Sequence, residues 1–385
     1  MVQKNKGNPK IIEYFSMFFI SLTFFLPIFY SQIFLSAPEA NDYTPQISAA
    51  QATLEAPETV PTFLVAHAAY LWAVVIVREI LKVPWLVSGL IVTLLSVLST
   101  ILIVFRILRN YLNPILAGLL AIGMNIIAPL ALLYPLDQRF YFGYIGLTTY
   151  HNATILFLRP FALLQAIYAI NTLQGKKINW IYIVTCAFIS AISTYAKPSY
   201  AVCLLPTLVL IGLFQIWKKK PIDLKLIFFG LVLPSTIVLI WQFLLEFGLD
   251  GGIILAPFEV ISRHSSFIFV KMILSISFPL LVTLTYWKES RHDLRMQFGW
   301  IGFVFGAILT YFFAESGERF LHGNFFWSGQ ITLFILFIIC LVFLIEKGLP
   351  KSKSVQRWLI LSTGSLHIVF GILYYLYVFI TKQYS

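Results

Sequence analysis

Charge is what this sequence has least of. Only 11% of its 385 residues are Asp, Glu, Lys or Arg, and just 16 are acidic. A soluble globular chain carries about 25% charged and about 45–50% apolar residues. Here the hydrophobic share is 59% and the mean hydropathy +0.86, which excludes a sizeable soluble domain, a disordered chain and a fibre. Cysteine is also scarce, and Cys186, Cys203 and Cys340 all fall within apolar runs, so no disulfide framework is expected. The sequence has no GxxxxGK phosphate loop, no HExxH, no CxxC and no GxSxG. The absence of DxD from the loops assigned below to the outer face leaves a carboxylate-held metal without an evident site. Nucleotide chemistry and a metal cofactor are therefore not expected.

What is present is apolar sequence in long runs. Twelve stretches, at about 11–35, 60–81, 85–105, 112–135, 153–173, 178–196, 199–217, 224–247, 266–287, 298–314, 325–345 and 358–380, approach or exceed the roughly 20 residues that span a bilayer. The expected fold class is all-α, a polytopic transmembrane helical bundle forming a single integral membrane domain over 1–385. Lys4, Lys6 and Lys10 precede a first run that is longer than the 7–15-residue core of a signal peptide, so it reads as an uncleaved span.

The net charge of +11 fits the positive-inside rule and needs no nucleic-acid partner. The stretch 60–81 decides the topology, because it holds His67 and ends in Arg78-Glu79-Ile80-Leu81-Lys82. If it does not cross, 18 of the 27 Lys and Arg residues gather on one face, among them Arg106, Arg109, Lys218–Lys220, Lys288 and Arg295. If it crosses, most of them change sides. The charge bias selects eleven crossings in a multi-pass cell (plasma) membrane protein, with a cytoplasmic N-terminus at 1–10, a first outer loop at 36–84 and the remaining spans in 85–380.

The long loops then all lie on the outer face. The first carries Glu39-Ala40-Asn41-Asp42-Tyr43, followed by Thr44-Pro45 as N-cap and first helical residue of a short amphipathic helix ending at Pro57. The segment 60–81 reads as a second interfacial or re-entrant helix. Asp42 is either a carboxylate held at the membrane surface or a solvated turn residue. A later loop ends in His151-Asn152, and Arg159-Pro160 lies about 10 Å of helical rise beyond Asn152. An arginine within a span costs about 2.5–3.5 kcal/mol on insertion scales, so it faces a wet cavity or partner, or snorkels to the interface. Asn152-Ala153-Thr154 is formally a glycosylation sequon, but it abuts the span. Lys197-Pro198 forms the tip of a tight hairpin, and two cations at neighbouring helix ends suit a lipid-linked phosphate. Arg263-His264 before a span that contains Lys271, and Glu315-Ser316-Gly317-Glu318-Arg319 with His322, are weaker candidates. Gly302 and Gly306 read as close helix packing, and His367 as a hydrogen-bonded residue of the bundle.

Four of these features together resemble the polytopic glycosyltransferases of the GT-C fold. They are the acidic stretch Glu39–Tyr43 after the first span, the interfacial segment 45–82, the basic motif Leu102-Ile103-Val104-Phe105-Arg106-Ile107-Leu108-Arg109, and Lys197-Pro198 at a later outer helix end. The likeness covers about residues 11–217. It departs in the interfacial segment, where Val60-Pro61 and His67 stand in place of a His-Pro-Pro type of motif. The resemblance implies an inverting, metal-independent transfer of sugar from a polyprenyl-phosphate carrier, with no cofactor. It makes Asp42 the general base with Glu39 as fallback, and it places Arg159, Lys197, His151, Asn152, Arg263 and Arg319 around the carrier phosphate. The expected partners are the bilayer and the polyprenyl-phosphate sugar. Two alternatives stay open: a lipid-linked polysaccharide polymerase or ligase, whose outer loops would be dominated by arginine, and a transporter or flippase, which would show internal repeats and mid-membrane ionisable groups.

Overall fold

The computed structural model describes residues 9–37, 40–175, 179–247, 252–349 and 354–383. Helix α1 (Ile11–Tyr30) runs into a π-helical turn, Ser31–Leu35. Three short helices follow: α2 (Tyr43–Glu55), α3 (Thr62–Ala66) and α4 (Ala69–Leu81). Then come α5 (Trp85–Arg109), α6 (Pro114–Ile126), the single turn α7 (Tyr134–Asp137), α8 (Ala153–Leu173), α9 (Trp180–Ala196) and α10 (Ala201–Trp217). A π-helical segment, Leu226–Val232, leads into α11 (Leu233–Phe247). The rest is α12 (Glu259–Ser262), α13 (Ile268–Thr285), α14 (Trp287–Ser290), α15 (Leu294–Phe312), α16 (Phe326–Lys347) and α17 (Ser354–Thr381). One small antiparallel ladder pairs Ile253–Leu255 with Phe313–Glu315, Ile254 standing opposite Ala314.

Among the described residues seven helices are long and apolar enough to cross a membrane, and 114–126, 180–196 and 201–217 form shorter apolar helices. The chain is therefore a helical, membrane-type bundle. Helix α16 is its centre, with 89% of its most apolar window buried. Peripheral helices turn apolar stripes outward, such as Ile181, Val184 and Phe188 on α9 and Ile237, Ile240 and Leu244 on α11. These spacings of three and four residues trace one face of a helix, as lipid contact requires.

The segment 60–81 is not one rod. It breaks at His67-Ala68, and α4, at 13 residues and 1.5 Å per residue, is about 20 Å long, short of a 30 Å hydrocarbon core. Tyr70 anchors α4 to the first turns of α5 by bonding the Gly89 carbonyl and Thr93, both at 3.2 Å. Arg109 at the end of α5 pairs with Glu13 in the first turn of α1 at 2.8 Å. These two helices thus run antiparallel, and the chain between them leaves and re-enters the bundle at the same end.

The α6 rod also stops early, and the chain continues through the bundle without helix. Buried backbone must still find partners, and non-helical backbone at membrane depth persists only where protein encloses it. Here side chains and distant backbone supply those partners. The Ala128 N–H donates to the His367 carbonyl (3.1 Å), and His367 Nδ1 reaches the Ala128 carbonyl (2.6 Å). Lys271 donates to the Phe142 carbonyl (2.8 Å), the Ile145 N–H donates to Ser275 Oγ (3.1 Å), and Tyr43 Oη donates to the Tyr150 carbonyl (3.1 Å). Arg159 donates to the Leu147 carbonyl. Gly371 of α17 lies directly against the Ile126 carbonyl where α6 ends, leaving no room for a Cβ.

Candidate functional site

The end of the bundle that carries α2 also carries a hydrogen-bonded chain of polar side chains. Helix α2 begins at Tyr43, two residues before the first helical residue expected, Pro45, because Asn41 does the capping. Its Oδ1 accepts the N–H groups of Tyr43 (2.8 Å) and Thr44 (3.3 Å). The neighbouring Asp42 carboxylate is thereby left out of the cap. The Asp42 N–H donates to the His151 carbonyl at 2.8 Å, and Asn152 Nδ2 donates to its Oδ2.

Asn152 is the N-cap of α8, where its Oδ1 accepts from the Ile155 N–H and from Thr154 Oγ1, each at 2.9 Å. With the cap fixed in this way, the amide can only turn its Nδ2 toward Asp42. Lys197 closes the chain by donating to Thr154 Oγ1 at 3.1 Å. Because it precedes Pro198, Lys197 is pushed into the extended region (φ −167°, ψ 128°). That ends α9 and swings the ammonium over the Trp327 ring, 5.0 Å from its centroid. Asp42, Asn152, Thr154 and Lys197 thus form one relay across three elements.

Burial raises the Asp42 carboxyl above its ordinary range, partly offset by the Lys197 charge and the Asn152 bond. Burial also pushes the Lys197 ammonium down to about 8, against the opposing pull of Asp42, Glu246 and Glu315. His151, buried beside Trp327 and bonded through Nδ1 to Thr149 Oγ1 at 2.9 Å, is pushed down to about 3 by desolvation and the Lys197 charge. It is therefore a neutral imidazole at pH 7.

The structure thus brings Asp42, His151, Asn152 and Lys197 together, and it separates the other candidates from them. Glu39 lies outside the described residues. Arg159 is 2% exposed and sits over the Phe334 ring at 4.8 Å. Phe334 follows Trp327 by seven residues on α16, so Arg159 is about 10 Å deeper than Lys197. Arg319 is taken by two carboxylates, Glu315 at 2.9 Å and Glu246, and covers Phe63. Arg263 is exposed at the end of α12 and makes no ion pair among the described residues.

Three parts of this end were missed as members of the site. Thr154 was passed over as part of a sequon, yet Asn152 is 4% exposed and fully engaged. Trp327 lies in a run that reads only as apolar. A second cluster joins His67 to Glu246 at 3.3 Å and to Gln242 Nε2 at 3.0 Å, with Arg319 and Glu315 beyond. Its sequence signals were a histidine inside an otherwise apolar stretch and the loop residues Glu315 and Arg319, with nothing to show that these come together. Compared with protein-family models, curated proteins and solved structures, the chain matches none of them.

Proposed function

We propose that this protein is a membrane glycosyltransferase of GT-C type, which moves a sugar from a polyprenyl-phosphate carrier to an acceptor hydroxyl at the outer face. The observation that supports this reading most is the half-buried Asp42 carboxylate, tied through Asn152 and Thr154 to the Lys197 ammonium. A raised carboxyl is a better base near neutral pH, and a fixed cation stabilises charge where it develops. Asp42 takes the proton of the acceptor hydroxyl, whose oxygen attacks the anomeric carbon from the face opposite the leaving group. The bond from that carbon to the carrier phosphate breaks, and the phosphate departs with the electron pair toward Lys197. Asn152 holds the carboxylate in place, and neutral His151 packs the wall with Trp327.

The test is transfer of radiolabelled sugar from a polyprenyl-phosphate donor by the purified chain in liposomes. Asp42→Asn keeps the shape of the side chain and removes the base, so transfer falls about 10²–10⁴-fold. Transfer at the wild-type rate would falsify the assignment, and flux of the intact donor without covalent product would replace it by a transporter.

A further inference from the structure

Helix α8 starts in the Asp42 relay, so its other end, with the ends of α5 and α10, belongs to the opposite end of the bundle. Two arginines there are paired within the protein. Arg109 meets Glu13 at 2.8 Å, and Arg295 bridges Asp293 (2.7 Å) and Glu346 (2.6 Å). The connection from α10 to the π-helical segment Leu226–Val232 is different. It carries Lys218, Lys219, Lys220 and Lys225 within eight residues. All four are exposed, and none makes an ion pair among the described residues. Asp223 is the one acid among them, and its Oδ1 is occupied by the Leu226 N–H at 3.0 Å.

This connection is fastened in place and flanked by aromatic rings. The Asp223 N–H donates to the Thr172 carbonyl near the end of α8 (3.4 Å), and Pro221 packs on Gly175, where a Cβ would come within 2.8 Å of the Pro221 oxygen. On one side Phe214 and Trp217 end α10, with their centroids 5.9 Å apart and Lys218 Nζ 4.6 Å from that of Trp217. On the other side Trp180, at the start of α9, lies 6.3 Å from Phe229. Trp217 is 72% exposed and Trp180 64%. Leu210 and Leu213 of α10 and Phe228 of the π-helical segment turn outward next to them. Tryptophans exposed at the ends of apolar helices belong to the headgroup layer of a bilayer, so the lysines stand at the level of lipid phosphates.

We infer that this corner of the bundle binds an anionic phospholipid. Its phosphate meets the four lysines, and its acyl chains lie along the outward apolar faces of α10 and the π-helical segment. Charge selects the headgroup, because clustered cations without carboxylate partners are drawn to an anionic leaflet. The rings select a lipid over a soluble polyanion. A nucleic acid or acidic protein would use the lysines alone, whereas a phospholipid meets the ammonium groups and the indole faces together. The site lies away from the Asp42 relay and is independent of the transferase reading.

Native mass spectrometry of the full chain, released from nanodiscs of equal phosphatidylcholine and phosphatidylglycerol, tests the inference. Phosphatidylglycerol stays bound about tenfold over phosphatidylcholine. Lys218→Gln/Lys220→Gln removes most of that preference. Lys288→Gln/Arg291→Gln, which takes the same charge from another exposed stretch at this end, leaves it in place. Trp217→Ala weakens the preference with no change in charge. These side chains are all exposed, so the variants keep the fold. No preference in the wild-type chain, or an undiminished one in Lys218→Gln/Lys220→Gln or Trp217→Ala, overturns the inference. Equal loss in the two double variants also overturns it, since net charge alone would then be responsible. Displacement of the bound lipid by glycerol 3-phosphate does the same, because a soluble phosphate would suffice.

Discussion

Asp42 and Lys197 are moved toward one another on the pH scale, the carboxyl up and the ammonium down to about 8. The proposed reaction needs the first deprotonated and the second protonated. Activity therefore rises as pH climbs through the elevated carboxyl and falls as pH passes about 8. Lys197→Arg, which stays charged at any accessible pH, moves the alkaline limb upward and leaves the acid limb in place. A pH–rate profile of the two proteins checks this, and an unmoved alkaline limb would show that Lys197 is not the group titrating there. At this scale the sequence was informative where chemistry and local structure coincide. Asn152 precedes a helix, Lys197 precedes a proline, and Asp42 follows the first span, so each position had a local reason to be singled out. Arg159 was legible as an arginine out of water, but its depth below Lys197 depends on α16, a run with no local sign of which residues face the interior.

At the scale of the element, glycine shows how far spacing carries. Gly302 and Gly306 stand one helical turn apart on α15 and look equivalent in sequence. A Cβ on Gly302 would meet Thr207 Oγ1 at an ordinary 3.6 Å, whereas one on Gly306 would press on Thr332 and come within 2.6 Å of the Ser328 carbonyl. Gly306→Ala therefore costs about 1–3 kcal/mol as overpacking, and Gly302→Ala is close to neutral. Thermal unfolding of the two variants in detergent makes the comparison, and equal midpoints would refute it. The helix break at His67 and the early stop of α6 were hidden for a different reason. Apolar composition reports burial, and the backbone at 127–133 leaves helical geometry because His367 and Leu274 offer it other partners.

For the whole molecule, the Glu13–Arg109 pair and the Arg295–Glu346 pair (2.6 Å) mark one end of the bundle, and the Asp42 relay marks the other. The charge bias along the chain is the ground for expecting these two ends on opposite faces of the membrane, with no crossing at 60–81. Impermeant maleimide should label Pro45→Cys and Lys82→Cys from one side of the membrane and Lys288→Cys from the other. The three native cysteines are buried and give little background. Labelling of Pro45→Cys and Lys82→Cys from opposite sides would reverse every later span.

Most partners of the non-helical passage after α6 come later in the chain: Arg159, Lys271, Leu274, Ser275 and His367. A nascent polypeptide that has emerged only through this passage exposes those amides and carbonyls with nothing to receive them. Biogenesis is thus committed late, when α13 and α17 arrive from the ribosome. A chain stalled before that point presents a polar gap inside the bilayer, the kind of defect that membrane quality control removes.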